Sequence, residues 1–284
     1  MAAFFLALAS TSLVAEEASG FRAVHLFVGI NDKPAPLPKD RRGTWHAQAG
    51  QDRIVADVFA RKRDGFFVDL AANHPVYLSN TRTLERDFGW RGICIDGNPE
   101  LRHELARHRS CSVVGSVVAA SRDTTVTFRK FQVADWQTNS SSWEHGLSGI
   151  VSTPSWWEWL TGATAKHGDA VTTVDERAKA TTLANILETF KMPHSGVDYL
   201  SLDVEGAEEE VLRTFPFGSI PIRVLTIERP KPAVRALLRK HNFTYARDVG
   251  VKLDELWLHG SMAHRVEAAR AHSCPGRSCV VDHD

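Results

Sequence analysis

The sequence has little that would push it toward a specialised class. Its charges cancel, with 34 Lys and Arg against 34 Asp and Glu, so it carries no basic field of the kind that holds nucleic acid through counterion release. Four cysteines in 284 residues are too few to replace a hydrophobic core as the scaffold. No apolar run approaches the roughly 20 residues that a membrane-spanning helix requires, and no segment repeats at a fixed period. The signatures of several common chemistries are also missing: there is no GxGxxG, no Walker loop, no GxSxG elbow and no HExxH. What remains is a chain with 43% hydrophobic residues and ordinary glycine and proline content. That composition excludes disordered, collagen-like and coiled-coil proteins and predicts one large domain or two small ones.

Strand and helix patterns alternate from about residue 65 onward. Residues 65–71 (GFFVDLA) form a short apolar run opened by Gly65, which predicts a buried strand, and 79–89 predicts a helix closed by Gly89. Residues 91–96 (RGICID) predict a second strand, 99–109 a helix opened by Pro99, and 111–118 a third strand. After a pause over about 133–175 the alternation resumes: helix 183–190, strand 197–204, helix 208–215, strand 220–228, helix 231–240, then two closing strands at 243–247 and 256–259. Strands apolar along their whole length and joined by helices require a parallel sheet covered on both faces. The expected fold is therefore α/β and doubly wound, over residues of about 50–260. Residues 19–49 read as an N-terminal loop segment and 261–284 as a C-terminal tail with a short helix.

In an open parallel sheet the ligand crevice lies beyond the carboxyl ends of the strands. Here Asp69 closes the first predicted strand, Asp96 the second, Asp203 with Glu205 the fourth, and Glu228 the fifth. Any one of these acids could simply cap the following helix. Five at one edge make a site suited to hydroxyls, amines or a cation. The two histidines His103 and His108 fall on different faces of their helix and read as surface residues.

Four segments, GFFVDLAANHPVYLSNT (65–81), GWRGICIDGNPEL (89–101), VDYLSLDVEGAEEEVL (197–212) and VLTIERP (224–230), resemble the FkbM family of S-adenosylmethionine-dependent methyltransferases. The resemblance extends over about 48–260 and includes GQD at 50–52 and SGI at 148–150. It implies a Rossmann-like class I methyltransferase fold, a mostly parallel seven-stranded sheet with one reversed strand. It also implies S-adenosyl-L-methionine as cofactor and methyl transfer to a hydroxyl oxygen of a small molecule or glycan; no metal ligand is expected, and the balanced charge argues against a nucleic-acid partner. Carried onto this chain, the family pattern places the turn from Asp69 through Ala71 to Asn73 beside the methionine part of the cofactor. Asp96 falls at the ribose hydroxyls, and Ser116 and Val117 at the adenine. Asp203 and Glu205 face the sulfonium and the acceptor as base or orienting group, and Glu228 orients the acceptor.

The chain departs from the family in its first turn, where VDLAANHP stands for VDIGANDG: Ala71 and Pro75 replace glycines and His74 an acid. Ala71 is tolerated there only at negative φ, and Pro75 predicts an altered loop. The family has eukaryotic, Star-like members, so the second reading is a protein that keeps the fold but acts as a binding or trafficking module. Between 132 and 175 an insertion holds Trp136, Trp143, Trp156, Trp157 and Trp159. It reads equally as an aromatic lid over the acceptor or as a small satellite core.

Location is the last expectation. The first 15 residues, MAAFFLALASTSLVA, are uncharged and mostly apolar and are followed by EEASG, the outline of a signal peptide over 1–18. Cys94 and Cys111 fall on neighbouring predicted strands, and Cys274 and Cys279 flank a turn, so two disulfides are the easiest pairing. Asn139 and Asn242 begin glycosylation sequons. Together these favour an oxidising, secretory route; the alternative is a cytoplasmic enzyme with four reduced thiols.

Overall fold

The fold was analysed in a computed structural model, which describes residues 40–133, 148–151, 171–250 and 254–271. The signal-peptide segment, the five tryptophans of the insertion, Cys274, Cys279 and Asn139 lie outside the described residues.

A helix unannounced by the sequence patterns, α1 (Gln51–Val58), precedes β1 (Phe66–Leu70). Then come α2 (Arg82–Phe88), β2 (Arg91–Asp96), α3 (Pro99–His108), β3 (Ser112–Gly115), β4 (Val117–Val118), β5 (Thr125–Val133) and β6 (Gly149–Ile150). The chain continues through β7 (Val171–Thr181), α4 (Leu183–Thr189), β8 (Val197–Leu202), α5 (Glu208–Arg213), β9 (Ile222–Glu228), α6 (Pro232–Lys240), β10 (Phe243–Val249) and β11 (Asp254–His259). A 3₁₀ turn (Gly260–Arg265) leads into the last helix, α7 (Val266–Ala271). The local signals that set these ends are ordinary chemistry. Asn98 caps α3 by accepting from the Glu100 N–H with Pro99 at the first turn, Thr182 caps α4 through the Asn185 N–H, and Gly89 at φ 70° ends α2.

Seven strands form the main sheet in the order β10-β11-β9-β8-β1-β2-β3. β1, β2, β3, β8 and β9 pair in parallel, β11 is antiparallel to both its neighbours, and β10 therefore runs with the majority. The sheet is mixed, with β11 as its one reversed strand. Side chains alternate across it into two cores. Val68, Ile93, Ile95, Leu200 and Leu225 pack with α4, α5 and α6, whereas Phe67, Cys94, Val113, Tyr199 and Val224 pack with α1, α2, α3 and α7. Helices thus cover both faces, as the whole-length apolar strands require. Cys94 and Cys111 are joined in a disulfide that ties β2 to the entry of β3.

Two parts of the chain depart from the sequence reading. The predicted third strand over 111–118 breaks at Ser116: β3 belongs to the main sheet, and β4 turns away to pair with β7 in a second sheet of order β4-β7-β5-β6. Part of the presumed insertion is also strand, because β5 and β7 form a long antiparallel ladder from Thr125↔Lys179 to Val133↔Val171. Charged residues stand next to one another in both strands, Arg129 and Lys130 in β5 and Asp175, Glu176 and Arg177 in β7, and Arg129–Asp175 and Lys130–Glu176 pair across them; strands interrupted by charge in this way lack the apolar run by which a buried strand is recognised. No helix among the described residues is long and apolar enough to cross a membrane.

Candidate functional site

The second sheet roofs the carboxyl edge of the main one, and a crevice lies between them. Its floor comes from Leu70, Ala71 and Asn73 after β1, Asp96 and Gly97 after β2, and Ser116; its roof includes Val117, Phe128 and Ile150. Gly97 is required for the fit, because a β-carbon there would stand 2.9 Å from the Phe128 ring.

Asp96 is the polar centre of this crevice. Asn73 N–H donates to its Oδ2 at 2.9 Å and Asn98 N–H to its Oδ1 at 2.8 Å. Burial raises its carboxyl to about 6, against the pull of those two backbone donors. Each oxygen keeps a further lone pair, so the carboxylate can still accept two hydroxyl protons from a ligand. Ser116 and Val117 line the same crevice, as do Ala71 and Asn73, and Asn73 Oδ1 is buried without a hydrogen-bond partner.

Asp69 stands elsewhere. It shares the face of β1 that carries Phe67, and its Oδ2 accepts from Thr81 Oγ1 at 2.5 Å. Arg109, almost wholly buried, reaches the same hydroxyl at 2.8 Å and Ser79 Oγ at 3.0 Å while pairing with Glu85. Burial alone would raise Glu85, but Arg109 and Arg82 hold it below the usual carboxylate range. Asn80 Nδ2 donates to Ser201 Oγ at 2.9 Å. The SNT triplet therefore bolts the loop after β1 onto β1 and β8, and Asp69 is the anchor rather than part of the crevice wall. Within that loop Ala71 has φ +63° and Asn73 φ +52°. Tolerance of alanine by a negative φ does not apply, and Ala71 sits in the left-handed region. His74 keeps the turn closed: its Nδ1 accepts from the Val76 N–H at 3.0 Å and the Tyr77 N–H at 2.9 Å, the task of an acid oxygen.

Asp203, Glu205 and Glu228 come together where β8 and β9 end, with candidate oxygens all within 4.8 Å of one another. That spacing lets them share a proton or a cation. Arg229 supplies positive charge beside them, pairing with Glu228 and standing 4.0 Å from Glu205. Burial, followed by the charges of Glu228, Glu205 and Asp254, holds the Asp203 carboxyl well above its ordinary value. Asp203 Oδ1 is buried and accepts no hydrogen bond. The acids adjoin the crevice: Val204 and Ala207 line it, and Gly149 in its wall approaches the Glu205 side chain. Sequence reading missed Asp254, whose strand runs the other way, and Gln51, which donates to it from the unpredicted α1.

The crevice, with the Asp96 carboxylate in it and the acid group at its mouth, lies where strand order reverses between β1 and β8, the place where open α/β sheets bind their ligands. No curated protein and no solved structure matches the chain. The model of the methyltransferase FkbM domain matches residues 58–245, from the end of α1 into β10 and across both sheets. By that match, which covers the crevice and the acids at its mouth, the chain belongs to the FkbM methyltransferase family.

Proposed function

We propose that this protein is an S-adenosyl-L-methionine-dependent methyltransferase of class I fold that methylates a hydroxyl oxygen of a small molecule or glycan. The observation that carries the reading is Asp96, set at the end of β2 in the crevice with both oxygens oriented by backbone N–H groups. Strand order, with its single reversed strand next to the edge, supports the fold assignment. When bound, the cofactor supplies a methyl group on a sulfonium, ready to move to a nucleophile.

In this reading Asp96 accepts the two ribose hydroxyls, while Val117, Phe128 and Ile150 enclose the base between apolar surfaces. Asn73, with its unpartnered oxygen, faces the amino-acid end. Asp203 or Glu205 takes the proton of the acceptor hydroxyl as its oxygen forms the new bond to carbon, and Glu228 orients that hydroxyl. Holding the acceptor in line is worth more than the proton transfer itself, and the roof sheet limits the approach to one side. The His74 turn keeps the loop shape despite the substituted glycines, which favours a working cofactor site.

The exposed Asn242 and the Cys94–Cys111 disulfide support passage through an oxidising, secretory compartment. The deciding experiment for the activity is calorimetry with S-adenosylhomocysteine. Binding by the wild-type chain that Asp96→Ala abolishes supports the enzyme; absence of binding by the folded wild-type chain would turn the reading to a binding or trafficking module.

A further inference from the structure

The acid group at the sheet edge has a second layer. Asp254 opens β11 and lies directly across the ladder from Glu228, the last residue of β9. Because β11 is reversed, its first residue reaches the edge where the other strands end. Asp254 is 6% exposed, and Gln51 Nε2 donates to its Oδ2 at 2.8 Å. Gln51 is itself fixed: it is 2% exposed and its Oε1 accepts from the Ala49 N–H at 2.8 Å, which turns the amide nitrogen toward Asp254. A buried glutamine that spans from the start of the domain to its last strand, 203 residues away in sequence, is oriented at both ends of its amide.

We propose that Gln51 and Asp254 are positioning residues for the acceptor side: Gln51 holds the Asp254 carboxylate against Glu228, so that a fixed negative charge stands behind Glu228 and Asp203. The chemical purpose rests on the methyltransferase reading, in which Asp203 and Glu228 meet the acceptor hydroxyl. The charged groups that act on Asp203 and Asp254 come from each neighbouring element. They are Glu205 from the loop after β8, Glu208 from α5, Glu228 and Arg229 from the end of β9, and the two acids themselves. Gln51 from α1 adds a neutral donor. Burial raises Asp254 to about 6, with the Gln51 hydrogen bond pulling it down and Glu228 pushing it up, and Asp254 in turn raises Asp203. A negative charge clamped at this place makes the Asp203 carboxyl a better proton acceptor than a separate exposed acid would be.

The test is a carboxyl titration of the ligand-free full chain by infrared difference spectroscopy, with Asp203→Asn identifying the Asp203 signal. Asp254→Asn removes the charge but keeps the shape and an acceptor for Gln51, and should move the Asp203 midpoint down by on the order of one pH unit. Gln51→Glu adds a charge at nearly constant shape and should move it up. Opposite displacements are not produced by a merely structural role. A midpoint unchanged in folded Asp254→Asn overturns the proposal, and this variant alone decides if Gln51→Glu does not fold. No cofactor or acceptor enters the measurement, so its failure is distinct from a failure to bind S-adenosylhomocysteine.

Discussion

Ala71 holds a backbone conformation, φ +63°, that a β-carbon disfavours by about 1 kcal/mol. Ala71→Gly is therefore expected to stabilise the folded chain by about 0.5 kcal/mol, read from the urea midpoint, because relief of strain outweighs the added freedom of the unfolded chain. An unchanged or lowered midpoint would show that the turn carries no strain. Asp96 supplies the second residue-level prediction. In the proposed function the ionised carboxylate accepts the ribose hydroxyls, and burial has raised it to about 6, so affinity for S-adenosylhomocysteine should be full above neutral pH and fall as pH drops through about 6. Calorimetry across that range checks it, and a flat profile would remove Asp96 from the ribose contact.

At the scale of elements, the disulfide joins β2 to the entry of β3 and closes a loop with a sequence separation of 17. Opening a loop of this size removes about 3 kcal/mol from stability in the chain-entropy view. Reduction by dithiothreitol should thus lower the melting temperature by several degrees, and a melt that ignores the reductant would mean the thiols are not paired. The same elements show how far the sequence could be read. Buried strands such as FFVDL and VDYLSL announce themselves because both faces are apolar, and Asp96, Asp203 and Glu228 could be placed because each acid follows such a run. The β5 and β7 strands are interrupted by adjacent charged residues, Arg129 with Lys130 and Asp175 to Arg177, and their apolar pattern is broken there. Asp254 escaped for a different reason: it begins its strand, so the rule of looking after a strand could not find it. Asp69 was legible as an acid on a strand but not as an anchor, since its partners Thr81 and Arg109 come from loops that periodicity does not describe.

For the whole molecule, zero net charge conceals a sheet whose carboxyl edge concentrates acids, and that arrangement costs stability. Asp254 has an ordinary value of 3.8 and is raised to about 6 in the fold, so the native state keeps a proton that the unfolded chain releases. Its stabilising contribution is greatest below about pH 4 and is lost as pH rises through about 6. Asp254→Asn should therefore be more stable than wild type at pH 8 by roughly 2 kcal/mol, with the gap closing at pH 4; a constant gap across that range would exclude a titrating cause.

The reversal of β11 also bears on how the molecule comes into being. Gln51, from the first helix of the domain, meets Asp254, from its last strand. A ribosome has released almost the whole domain before these two can touch, and pairing so distant in sequence closes late in folding. The crevice, lined by residues within 70–128, 148–150 and 204–207, precedes that closure in the chain. A growing chain thus carries every lining residue of the crevice before Asp254 is made, so the Gln51–Asp254 contact is the last of these features that synthesis can complete.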